Sequence, residues 1–338
     1  MLDIFNNNAF GVTALTDAVN DMKYAPSRIS DMGLFQTSRV STTSIAIERI
    51  GNTLQLVKPS PRGGPGETRD KPKRNLRSFQ IPHFQRDWNV YADEVQGVRE
   101  MGSESALRTV QGVVGERMSE NLDDFALTEE HARLGAVKGV ITYADGSSLN
   151  LFTEFGVAQE AEIAFDLANA KDGVLRETCV NVIRKTKRAL GNIGFSHVHG
   201  FVDDTFFDAL MKNPEFRATY EGWSDAKILR ESYIGPNRGS NPIVEFGGIV
   251  FENYVSDDDG NVKVDAGKAN FFPAGVPRLF RTYYGPADYI ETVNTRGRRL
   301  YSKQWRMPND KGINGEMQMN ALQLCTRPKT LLKGRSAA

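Results

Sequence analysis

The chain has 338 residues, 40% of them hydrophobic, and Lys plus Arg equal Asp plus Glu at 42 each. A chain of that length and apolar content can bury a sizeable core in about two domains, which excludes global disorder, and its balanced charge excludes a polycation built to coat nucleic acid. Its apolar runs fall short of the ~18–20 residues of a membrane span, and Met1 to Phe10 lack the basic start and apolar core of a signal peptide. The expectation is a soluble, cytosolic protein with no membrane partner. Cys179 and Cys325 are the only cysteines and lie far apart, so two reduced, buried thiols are expected rather than a disulfide framework.

Within the first 40 residues Val12, Leu15, Val19 and Met22 fall at helical spacing and the stripe ends at Pro26. So short a helix is marginal alone and reads as an arm that needs a partner surface. From Thr42 to Val57, Ile45, Ile47, Leu54 and Val57 alternate with polar residues, which predicts a hairpin around Gly51-Asn52. Lys58 to Arg77 then carries Pro59, Pro61, Gly63-Gly64 and Pro65-Gly66, with seven basic residues (Lys58, Arg62, Arg69, Lys71, Lys73, Arg74, Arg77) against Glu67 and Asp70. With almost nothing apolar to bury, this stretch should project as a long loop. Phe79, Ile81, Phe84, Trp88, Val90 and Tyr91 bring the chain back as an extended strand.

The strongest helical signal runs from Ser103 to Lys138. Leu107, Val110, Val114, Met118, Leu122, Phe125, Ala132 and Ala136 step by three or four with one gap at Glu129, and Glu116, Glu120, Asp123, Asp124 and Glu130 are assigned to the opposite face. At 1.5 Å per residue such a helix reaches ~50 Å, a strut longer than a compact domain needs. Val140–Thr142 and Leu149–Phe152 flank Asp145-Gly146, a favoured hairpin turn.

Residues 160–295 read as a mixed α/β unit. Leu175, Cys179, Val182, Thr186 and Leu190 form a helix ended by Gly191; His197 to Val202 is a strand; Asp204 to about Met211 is a second helix. Val244–Tyr254 and Asn261–Val264 are expected to form a hairpin across Asp257-Asp258-Asp259-Gly260, and Leu300 to Leu332 alternates as one or two long strands.

Signals for chemistry are sparse. His197 and His199 share a strand face but have no third ligand signposted, so a structural role is favoured over a metal site. Asp257 to Asn261 resembles a calcium loop whose glycine comes too early and whose twelfth-position glutamate is missing. Asp203-Asp204 suits a helix cap as well as catalysis. Gly63-Gly64-Pro65-Gly66 lacks the Gly-Lys-Ser/Thr ending of a phosphate loop, and neither a Gly-x-Ser-x-Gly elbow nor a Cys/His pairing occurs. No catalytic residue, cofactor or metal is assigned. The basic loop fits a protein partner better than nucleic acid, because Phe79, Phe84 and Trp88, which could stack on bases, more simply anchor its return.

The order of these elements resembles the major capsid proteins of tailed bacteriophages, with their Hong Kong 97-type α+β fold. More narrowly, Ser60-Pro61-Arg62-Gly63-Gly64, Asn270-Phe271-Phe272-Pro273, Leu279 to Gly285, and the ending Asn314 to Leu332 with Met317, Met319, Ala321 and Leu331-Leu332 are similar to the phage major capsid protein E family, its lambda-like branch. The resemblance implies an N-terminal arm (1–45), an extended loop (46–92), a peripheral domain with a spine helix (93–160 and 296–338) and an axial domain (161–295). It implies a head protein that self-assembles as hexamers and pentamers into an icosahedral shell around double-stranded DNA, itself touched non-specifically if at all. A separate scaffolding protein is expected because no room for a fused scaffold precedes the strand pattern at Thr42, and a portal is a further expected partner; the resemblance leaves open whether a decoration protein is bound. Assembly would occur in the host cytoplasm. In this fold the extended loop lies over the next subunit's spine, so its seven cations are expected to face Glu120, Asp123, Asp124, Glu129 and Glu130. The competing reading is a cytosolic α/β enzyme with a mobile basic loop.

Overall fold

Alternating apolar residues make strands and three-to-four spaced ones make helices along most of this chain, but which strand meets which is decided by where large side chains can be buried. The computed structural model describes residues 12–21, 28–50, 74–96, 110–169, 171–221, 241–254 and 262–337.

The arm begins with helix α1 (Val12–Asp21), which buries Leu15 and Val19, and the short α2 (Arg28–Asp31), which buries Ile29. Strand β1 (Gln36–Arg39) follows, then β2 (Ser44–Ile50), β3 (Arg74–Gln80) and β4 (His83–Tyr91). The turn expected at Gly51-Asn52 and its return through Leu54 and Val57 lie outside the described residues; among the described residues β2 pairs antiparallel with β3, from Ser44 opposite Gln80 to Ile50 opposite Arg74, beyond the Pro/Gly stretch. The register follows burial. Ile45 and Phe79 sit opposite each other and both are buried, and the Phe79 ring lies 5.3 Å from that of Phe155. Residues 51–73, with the turn and most of the basic loop, lie outside the described residues.

Helix α3 (Val110–Lys138) has 29 residues, ~43 Å at 1.5 Å each; the predicted start at Ser103 falls outside the described residues. Its single-stripe pattern holds to about Thr128. Beyond that, Glu129, Glu130, Ala132, Arg133, Leu134, Gly135, Ala136 and Val137 are all buried. The hairpin β5 (Val140–Thr142) and β6 (Ser148–Asn150) forms as expected, with Gly146 at φ 82° in its turn. Leu151 and Phe152, expected to extend that strand, instead open α4 (Leu151–Phe155), because the Asn150 side chain accepts from the Phe152 and Thr153 amides and caps a helix there.

After β7 (Ile163–Ala164) come α5 (Val174–Leu190), β8 (His197–Val202), α6 (Asp204–Lys212) and α7 (Pro214–Glu221). Asp203 caps α6 by accepting from the Thr205 and Phe206 amides. The hairpin expected across Asp257 to Gly260 is corrected. It joins β9 (Ile243–Phe246) to β10 (Ile249–Asn253) through Gly247-Gly248, both at positive φ (59° and 82°), the geometry of a tight two-residue turn. Residues 262–264 form no strand, and Asp257 to Asn261 lie outside the described residues. Strands β11 (Lys268–Ala274), β12 (Phe280–Tyr284), β13 (Tyr301–Arg306), β14 (Gly312–Cys325) and β15 (Leu332–Arg335) complete the chain.

Two sheets result. In one, the order is β1-β12-β14-β13, with β4 also on β14; residues 312–320 of β14 pair with β4, and residues 321–325 with β12. In the other, β7-β15-β11-β8-β10-β9, a phenylalanine core of Phe165, Phe206, Phe251 and Phe271 is buried beneath α5 and α6. Helix α3 packs on β14 and β4 of the first sheet and reaches β11 of the second, so it links the two sheets.

Candidate assembly surfaces

The acidic helix face and the basic loop are the charged features that sequence reading singles out. The structure divides the acids into two sets. Glu120 and Asp123 are exposed, Glu120 lies 3.2 Å from Arg117, and half-buried Asp124 pairs with Arg86 of β4. Glu129 and Glu130, expected on the same outward surface, are 1% and 3% exposed. Both point into the molecule, which takes them out of any surface offered to a neighbour. Glu129 fills the gap in the apolar stripe and accepts from Arg133 at 2.7 Å, Arg299 at 2.9 Å and the Tyr284 hydroxyl. Three donors from three elements satisfy a charge that would otherwise be costly to bury. Burial first, and then the Glu129 charge, push the Tyr284 hydroxyl well above the ordinary tyrosine range.

Of the seven basic residues, Arg77 is exposed on β3 and its guanidinium donates to the Glu154 carbonyl. Arg74 opens β3. Lys58, Arg62, Arg69, Lys71 and Lys73 lie outside the described residues. Leu76, between Arg74 and Arg77, is 70% exposed.

Sequence reading missed a clamp that holds the foot of the arm. Three consecutive residues of α2 are each held by a buried charged side chain. Arg28 donates to both oxygens of Glu252, at 2.5 and 2.9 Å; the Ile29 amide donates to Glu130 at 2.7 Å; the Ser30 hydroxyl accepts from Arg133 at 2.6 Å. Glu252 on β10 is fully buried and also meets His199 Nε2 at 3.0 Å and Asn241 Nδ2 at 3.2 Å, while Glu130 accepts from the Tyr254 hydroxyl at 2.9 Å. Burial alone would raise the Glu252 pKa. Hydrogen bonds and charge from His199 and Arg28 outweigh that and hold it below the ordinary carboxylate value. The available signal was a carboxylate standing inside an apolar stripe or strand, at 129 and at 252.

The clamp's charged groups are engaged with one another and with α2. His199 is engaged with Glu252, and no cluster of three or more His, Cys, Asp or Glu suited to a metal occurs among the described residues. Both cysteines are free and buried, their thiols pushed up to about 12 chiefly by burial. No helix among the described residues is long and apolar enough to cross a membrane.

An arm clamped to the body, a two-stranded excursion, a long helix linking two sheets and an α/β unit together define a capsid-shell subunit of the Hong Kong 97-type, an α+β fold. A putative capsid protein of an Escherichia coli CFT073 prophage shares it, with a TM-score of 0.56 at 13% identity over 96% of this chain and 99% of that one. The chain belongs to the phage major capsid protein E family, whose model matches residues 11–336. It is 25% identical to the major capsid protein of Salmonella phage Felix O1, across 100% of this chain and 99% of the relative, and 24% identical to that of Pseudomonas phage KPP10, across 98% of each. It is a structural protein of the virion, a major capsid protein that associates with its own copies to form the shell; the reading as an enzyme with a mobile loop finds no support.

Proposed function

We propose that this chain closes an icosahedral head, as hexamers and pentamers, around double-stranded DNA, and that residues 46–92 of one subunit lie over the spine helix α3 of the next. The division into arm (1–45), extended loop, peripheral domain (93–160 and 296–338) and axial domain (161–295) belongs to the same reading. The observation that carries it is charge. Residues 58–77 hold seven basic side chains against two acidic ones, 7 − 2 = +5, and α3 offers Glu120 and Asp123 exposed and Asp124 half-buried, with Glu129 and Glu130 no longer counted. Each exposed pair is worth only ~0–1 kcal/mol and is screened by salt, but the set recurs at every contact and can fix register. Exposed Leu76 adds apolar area to the same excursion. A separate scaffolding protein and a portal are the further partners this reading includes, with assembly in the host cytoplasm.

Reversing Arg69, Lys71 and Arg74 to Glu should leave a folded subunit that forms no particles in electron micrographs. Adding Glu120→Lys and Asp123→Lys to that chain should restore some of them. Particles from the loop variant that are as abundant as wild type, or no recovery in the combined variant, would contradict the loop-on-spine contact.

A further inference from the structure

The solvent face of α5 carries a second basic surface, unconnected with the extended loop. At 100° per residue Arg184, Lys187 and Arg188 fall within an arc of roughly 100°, opposite the buried Leu175, Cys179, Val182, Thr186 and Leu190. All three are exposed. The 3-10 turn Pro328–Thr330 packs against α5 and adds exposed Arg327 and Lys329. Lys329 lines a recess together with Glu160, and Glu160 pairs with Lys185 of α5 at 3.4 Å. Glu160 is therefore already matched, and Glu177, on the same helix face, lies two turns earlier. Among the described residues none of Arg184, Lys187, Arg188, Arg327 and Lys329 has an ion pair. Cations in a last helical turn complement the helix dipole, which accounts for Lys187 and Arg188. It does not account for Arg184, a turn earlier, or for the two cations contributed by another segment.

We infer that this face binds the phosphate backbone of duplex DNA without reading its sequence. Asn181 on α5 and Asn192 just past it are exposed beside the cations, hydrogen-bonding groups suited to phosphate oxygens. Among the described residues no large apolar side chain is exposed there, so the face lacks the kind of anchor on which protein contacts concentrate their energy. Arginine, three of the five cations, matches phosphate geometry. A neutral chain that presents such a basic face in every copy holds a polyanion weakly per copy and firmly in sum. The inference rests on the reading of the chain as the wall of a DNA-filled shell.

The test uses the purified full chain and a fluorescent duplex of about 30 base pairs, titrated between about 50 and 200 mM salt. The variant Arg184→Glu/Arg188→Glu/Lys329→Glu should bind at least about tenfold more weakly, with the slope of log K on log salt flatter by about 3, while particles still form in electron micrographs. If that variant does not fold, the three Gln counterparts replace it and should flatten the slope in the same direction. Unchanged duplex affinity and slope would overturn the inference. So would loss of particles with duplex binding intact, which marks the face as a protein contact. Failure of the wild type to form particles or capsomers, even with its scaffolding protein present, would count against the proposed shell and leave duplex binding readable on its own.

Discussion

Glu252 shows how single residues hold this molecule. It is fully buried, yet charged, because Arg28, His199 and Asn241 converge on it. Its pKa is lowered in the folded chain, so its contribution to stability is present above the ordinary carboxylate pKa and disappears as pH falls through the still lower folded value. Glu252→Gln keeps the shape and removes the charge, leaving Arg28 and His199 facing a neutral amide. The expected cost is ~2–3 kcal/mol at pH 7, the lower end for breaking a buried pair because Arg28 is partly exposed. Thermal melts should show a lower midpoint for the variant and a shallower loss of stability on acidification. Equal midpoints at neutral pH would mean that the clamp contributes nothing.

The cysteines are the opposite case. With thiols pushed up to about 12 and both side chains buried, neither forms a thiolate at neutral pH. Alkylation should therefore be negligible until the chain unfolds, and Cys179→Ala or Cys325→Ala should cost ~1 kcal/mol and leave particle yield unchanged. Rapid labelling of the native protein would contradict this.

At the scale of elements, β14 organises the first sheet, because one long strand serves β13 and β4 along its first part and β12 along its last. Gly315 stands directly opposite Trp88, whose ring lies over it; a Cβ there would come within 2.1–2.7 Å of ring atoms. Gly315→Ala should therefore displace Trp88 from its buried position, cost ~1–3 kcal/mol and shift tryptophan emission to the red, whereas an unmoved spectrum would show that the ring has room to give.

Helices and strands of this kind were legible in the sequence because their periodicity is local: α1, the body of α3, α5, β8 and the alternation from Tyr301 to Cys325 all follow it. Pairing was not, because it depends on distant partners. The alternation around Gly51-Asn52 said nothing of Phe79 and Phe155, which fix the register of β2. Of two turn signals near residue 250, the tight pair Gly247-Gly248 makes the hairpin that the acidic run to Gly260 was expected to make. Glu129 and Glu130 were read as surface because unpaired charge normally stays there. The groups that draw them inward, Arg299, Tyr284, Tyr254 and the Ile29 amide, lie 101 to 170 residues away.

As a whole molecule, the chain joins two larger sheets through one long helix and fastens the foot of its arm to that helix, by Glu130 and Arg133, and to the second sheet, by Glu252. Zero net charge limits repulsion between many copies, while charge separated into basic and acidic surfaces gives those copies an orientation. The most direct test is a cryo-electron microscopy reconstruction of particles formed by the overexpressed protein. The account predicts closed shells in which residues 46–92 of each subunit lie across the α3 helix of its neighbour, beside Glu120 and Asp123. Shells in which that segment folds back on its own subunit, or a protein that stays monomeric at every concentration, would contradict it.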